Sequence, residues 1–212
     1  MQKIILSLSA IICFTLSINS QSLISVLNNS VLDRDVNRVE LDIKNSIVKW
    51  EGSNLFKINK HNGTVKFKNG HVLKKNGNIL GGEFIIEMES IVNTDGKPND
   101  RLVNHLKNED FFDVKKYPNA KLQINNVIYE SNDSVSIIAN LTIKGITKEI
   151  QFNPKFNVID KKEVMTSKFT IDRTLWGINY ESKGTLGAVK DDIISDTIEL
   201  EVIVQWPFID QC

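Results

Sequence analysis

Apolar and polar residues alternate with a period of two through most of this chain, the pattern of strands with one face buried and one in water. Val65 and Phe67 alternate with Thr64, Lys66 and Lys68, and Phe84, Ile86 and Met88 alternate with Glu83, Glu87 and Glu89. Ala120, Leu122 and Ile124 alternate with Lys121, Gln123 and Asn125. Val135, Ile137, Ala139, Leu141 and Ile143 form one face of a long strand, and Ile150, Phe152 and Phe156 continue after a turn at Gly145. Phe169 and Ile171 mark another strand, and Ile198, Leu200, Val202, Val204 and Trp206 mark the last. A one-residue slip would turn each of these sets into water, so parity assigns the inward face.

Turn chemistry divides the strands. Asn69-Gly70 and Asn76-Gly77 predict hairpins, because both residues tolerate positive φ. Asn62-Gly63 opens a strand or turns the chain, and Gly81-Gly82 allows a bend or bulge. One helical insertion is predicted near residues 99–113: Asn99 can cap a helix whose Leu102, Val103 and Leu106 share a face, and Tyr117-Pro118 ends the segment. Many short strands with close turns predict an all-β fold, and periodicity alone leaves barrel and sandwich open. No internal repeat or domain linker interrupts residues 39–212, which form a single predicted domain after a polar, Asn-rich segment at 21–38.

The first twenty residues differ in kind. Lys3 supplies a short positive region, Ile4 to Ile18 is mostly apolar, and Ser20-Gln21-Ser22 offers small residues for cleavage. This pattern predicts a signal peptide over 1–20 and a periplasmic or secreted mature protein. The run is short and serine-broken for a membrane span of ~20 residues, and no other segment suits one. Ile12 precedes Cys13 where lipidation needs a small residue, which argues against lipoprotein anchoring. Removing the leader leaves Cys212 alone, so the fold is expected to rest on packing rather than an internal disulfide, with a homodimer possible through that thiol.

Hydrophobic residues make up 41% of the 212, enough for one core. Lysine and arginine equal aspartate and glutamate at 26 each and are interspersed with them, without the basic stripe of a nucleic-acid binder. His61, His71 and His105 have no helical i,i+4 spacing and no neighbouring cysteine, so neither a metal nor a cofactor is expected. There is no nucleophile elbow, phosphate-cradling glycine loop or dinucleotide fingerprint, and the reading is of a protein that is not an enzyme.

Two segments carry a resemblance. His105-Leu-Lys-Asn-Glu-Asp-Phe-Phe-Asp-Val-Lys-Lys-Tyr-Pro118 and Leu141-Thr-Ile-Lys-Gly-Ile-Thr-Lys-Glu-Ile-Gln-Phe152 resemble signatures of the YceI-like family. Ser46–Gly52, His61–Phe67, Leu80–Ser90 and Phe169–Ile178 resemble its other strands in the same order. The resemblance implies a single antiparallel lipocalin-like barrel of about eight strands, a size that can hold one small ligand. It also implies a hydrophobic lipid-like ligand, an isoprenoid or fatty chain, inside the barrel. By parity the wall would comprise Phe67, Phe84, Ile86, Met88, Leu122, Leu141, Ile143, Phe152, Phe169, Leu200 and Val202. Asp172-Arg173 resembles an Asp-Arg pair of the family: Arg173 either binds a polar head group or forms an ion pair with Asp172 that fixes a turn. His61 is a candidate hydrogen-bond donor at the mouth. The competing readings are a solid structural or interaction domain and an enzyme acting on a small amphiphile.

Overall fold

The computed structural model describes residues 36–96, 100–130, 134–184 and 193–208. The predicted leader, most of the polar segment after it and Cys212 lie outside these residues. The elements run β1 (Asn37–Glu40), β2 (Ile47–Ser53), β3 (Lys60–Lys75), β4 (Asn78–Asn93), α1 (Asp100–Lys107), β5 (Asn119–Tyr129), β6 (Val135–Ile143), β7 (Ile146–Phe152), β8 (Lys155–Ile159), β9 (Lys162–Asp172) and β10 (Thr197–Pro207). Short 3-10 turns occupy Ile43–Asn45 and Arg173–Trp176.

All strands belong to one antiparallel sheet in the order β7-β6-β5-β4-β3-β2-β10-β9-β8, with β1 added against β3. Among the described residues there are ten strands against the about eight expected, because the four-residue β1 and the short β8 extend the set. Long strands must bend to coil into a barrel, and the β3–β4 ladder shifts register at Thr64/Lys66, Phe67/Asn69 and Leu73/Lys74. Asn69-Gly70 is therefore an irregularity inside β3 and not the predicted hairpin. The hairpin lies at Asn76-Gly77, whose φ angles of 49° and 79° suit a two-residue turn with both centres left-handed. The Gly81-Gly82 pair sits opposite the last register shift, as a bulge signal should.

Residues Phe152 and Phe156, which look continuous in sequence, fall on separate strands, β7 and β8, at opposite ends of the hydrogen-bonded path. Side chains bridge that open seam. Phe152 stacks on Phe169 of β9 with ring centres 5.1 Å apart. Trp176, buried after β9, donates its indole N–H to the carbonyl of Leu141 on β6 at 3.0 Å. The result is a lipocalin-like barrel whose last joint is packing rather than a ladder.

Inside, strand parity holds. Phe67, Phe84, Ile86, Met88, Leu141, Ile143 and Phe152 are buried, whereas Lys66, Glu87 and Glu199 are exposed on the other face. One end of the barrel is solid. Val72, Ile79, Ile124, Ile137, Ala139 and Trp206 are all buried there. A buried ion pair braces this end: the Lys74 ammonium donates to Glu163 Oε2, which also accepts from Trp206 Nε1 at 2.9 Å.

Candidate functional site

The other half of the barrel is hollow. A cavity of about 400 Å³ opens between the strands, and its wall is almost wholly hydrocarbon. All eleven apolar residues expected from parity reach it: Phe67, Phe84, Ile86, Met88, Leu122, Leu141, Ile143, Phe152, Phe169, Leu200 and Val202. Leu122, Phe169, Leu200 and Val202 are only partly buried although they point inward, because the void lies in front of them. A solid core would have covered these side chains.

The helical insertion forms part of the same wall. Chain direction takes β4 out of the barrel at Ile91 and returns β5 at Ala120, and both residues line the cavity. Between them α1 contributes Leu102 and Leu106, and the turn after it contributes Phe111 and Phe112. Backbone bonds fix that turn: Phe112 N–H donates to Leu106 O at 3.1 Å and Val114 N–H to Lys107 O at 2.9 Å. The His105 ring meets Phe111 and Tyr180 edge-on at 5.1 and 4.5 Å, and its Nε2 lies 3.2 Å from Asp110 Oδ2. This cluster ties the helix to the segment after the second 3-10 turn.

Polar groups gather at the same end. Ser53, Asn54, Asn59 and His61 around the β2–β3 connection, with Ser195 just before β10 and Thr197 at its start, add to the wall. Asn54 shapes its loop by accepting the N–H groups of Ile58 and Asn59 on Oδ1 at 2.9 and 3.3 Å. His61 Nδ1 lies 2.7 Å from Asp95 Oδ2, and this bond, helped by Asn93, holds the Asp95 carboxyl below its ordinary pKa. The imidazole proposed for the mouth from sequence is thus on the cavity wall, oriented by a carboxylate. Among the described residues His61 and Arg173 are the only titratable side chains on that wall.

Arg173 is 1% exposed and its guanidinium is spent on the backbone. Nε donates to Ser195 O at 3.0 Å, Nη1 to Ile178 O at 2.7 Å and Nη2 to Ile194 O at 3.1 Å. Phe111 lies against it with the guanidinium carbon 5.7 Å from the ring centre. Its nearest carboxylate is Asp196, at 3.9 Å, and not its neighbour Asp172, which caps the 3-10 turn by accepting from Thr174 N–H at 2.9 Å. Burial lowers the guanidinium pKa, with Asp196 and Asp172 opposing that shift. Arg173 touches the cavity, but its geometry is that of a structural clamp on the 194–195 and 178 carbonyls rather than a free fork for a head group.

A family model of the YceI-like domain matches residues 39–206. The chain belongs to the YceI-like family. Among curated relatives, UPF0312 proteins of Staphylococcus aureus are 32% identical over 98 residues in strain bovine RF122 and 31% over 107 residues in strain USA300. These matches cover 43% and 47% of this chain and 54% and 58% of the relatives, so the chain spans little more than half the length of the curated relatives it matches. The crystal structure of Burkholderia cenocepacia BcnA aligns with a TM-score of 0.64 at 16% identity, over 78% of this chain and 98% of that one. A polyisoprenoid binding domain from Saccharophagus degradans aligns at 0.55 and 13% identity, over 82% and 98%. At these identities the structural likeness establishes the fold.

Several cavity residues of this YceI-like barrel escape the sequence reading of the site. Val48 and Trp50 of β2 share inward parity and could have been read from Ile47-Val-Lys-Trp alone. Met165 and Val204 lie on strands already assigned, but nothing in parity says how deep the void reaches. Phe111 and Phe112, in the turn after α1, also face the cavity. Gly63 has a local reason that only the fold reveals. A Cβ there would fall 1.8 Å from Val92 O and 2.6 Å from the Trp50 ring, so the missing side chain makes room for the β4 backbone and for that indole.

Proposed function

We propose that this protein is a carrier that holds one apolar chain, an isoprenoid-like or fatty lipid, in the barrel cavity. The observation that carries this reading is the void itself: half-buried Leu122, Phe169, Leu200 and Val202 face it in a barrel whose other half is packed solid. Such side chains gain from an apolar occupant, at ~25 cal/mol for each Å² taken from water. The polar residues confined to one end suit a ligand that enters tail first and leaves its head group near Asn54, Asn59 and His61. The polyisoprenoid binding domain of the Saccharophagus degradans neighbour agrees with this chemistry. The leader-like first twenty residues support a carrier that works outside the cytoplasm, in the periplasm or the medium.

The test uses two adjacent residues on opposite faces of β5. Leu122 faces the cavity and Gln123 faces water. A carboxylate at Leu122 can stay hydrated in an empty cavity, so the fold survives, but an apolar chain must strip that water at a cost of several kcal/mol. Leu122→Asp is expected to lower lipid retention by more than about tenfold, and Gln123→Asp to leave it unchanged, as read by mass spectrometry of co-purified lipid after circular dichroism confirms folding. Equal retention by both folded variants would contradict the carrier reading.

A further inference from the structure

On β5, β6 and β10 the cavity ends at a definite level, whereas on β7 it reaches Phe152, whose register partner Ile137 does not line it. On β6, Leu141 and Ile143 line it, while Ala139, the next inward residue, does not and is fully buried. On β5 the boundary falls between Leu122 and Ile124, and on β10 between Val204 and Trp206. The row is continuous in register, since Phe84 pairs with Leu122 and Leu122 with Leu141. Met165 is the register partner of Val204, lines the cavity and is 2% exposed. Beyond these two, Trp206 is buried and Lys74 pairs with Glu163, and none of the three lines the cavity.

From this we infer that the cavity gauges chain length, admitting an apolar tail of about 15 carbons that stops against Met165 and Val204. The inference rests on the carrier reading and adds a limit to it. The length follows from volume: a methylene packed at interior density takes roughly 25–30 Å³, and the cavity holds about 400 Å³. Carbons beyond that length stay at the polar rim or in water, where they bury nothing. Each carbon within it is removed from water and strengthens binding by up to about fourfold.

Saturated fatty acids from about 8 to about 22 carbons, titrated into the full-length chain by native mass spectrometry, test the gauge. Affinity is expected to rise with length and level off near 15 carbons. Met165→Ala removes Cγ, Sδ and Cε from the floor and is expected to move the plateau up by about three carbons. Val204→Phe fills the floor and is expected to move it down by a similar amount. If Met165→Ala fails to fold, the Val204→Phe shift and the wild-type curve still decide. Affinity that keeps climbing well past the plateau, or a plateau that stays put in both folded variants, overturns the gauge and leaves the carrier reading standing. Failure of every fatty acid to bind overturns the carrier reading, and the gauge with it.

Discussion

At the scale of single residues, two buried cations do structural work that their place in the sequence does not announce. Lys74 sits in β3 among residues that look like a polar face, yet its side chain is 10% exposed and pairs with Glu163 across the solid end of the barrel. Removing one partner strands the other charge away from water. Lys74→Met is therefore expected to cost about 3–5 kcal/mol in urea unfolding, and Lys74→Met with Glu163→Leu to recover most of that loss. A single substitution as mild as a surface change would show that the pair is not desolvated. Arg173 presents the opposite lesson. The sequence offered it as a head-group ligand or as half of an ion pair, and the fold uses it to hold three carbonyls. Arg173→Lys keeps the charge and loses the fork, and is expected to destabilise the protein by on the order of 3 kcal/mol. A change confined to ligand binding, with stability untouched, would restore the head-group role.

At the scale of elements, alternation was enough to place most strands and their inward faces, because a period of two leaves no freedom once one face is apolar. What it could not foresee was interruption. Asn69-Gly70 has the composition of a turn but stays inside β3, since the flanking ladder to β4 continues on both sides and absorbs the extra residue as a register shift. The 3-10 turn at Ile43–Asn45 was not legible either. It is held to the start of β9 by Lys162, which donates to Asp42 Oδ2 at 2.6 Å. That bond, followed by one from Asn45, lowers the Asp42 pKa from 3.8 to about 2. Because the folded value lies below the unfolded one, this contribution is present above pH 3.8 and is lost as pH falls towards 2. Thermal unfolding followed across that window should show a steeper acid loss in the wild type than in Asp42→Asn, which is expected to start lower and change less. Parallel curves would remove Asp42 from the acid response.

At the scale of the whole molecule, the barrel joins one fact legible in the chain to one that was not. The inward residues were legible as a set, but whether they meet in the middle depends on how the sheet curls. Its curl is set by the bulges of β3, the Phe152–Phe169 stack and the Trp176 hydrogen bond at the seam, contacts between residues far apart in sequence. Those contacts leave one half packed and the other hollow, with α1 and Phe111 over the end where the polar groups collect. The central claim is that this hollow exists to hold a lipid chain. The most direct measurement is native mass spectrometry of the protein purified from its own cells without detergent, followed by extraction and analysis of whatever it carries. The account predicts a single apolar molecule per chain, released on denaturation and absent from Leu122→Asp. Protein that is folded, empty as isolated and still empty after incubation with prenyl and fatty lipids would contradict it.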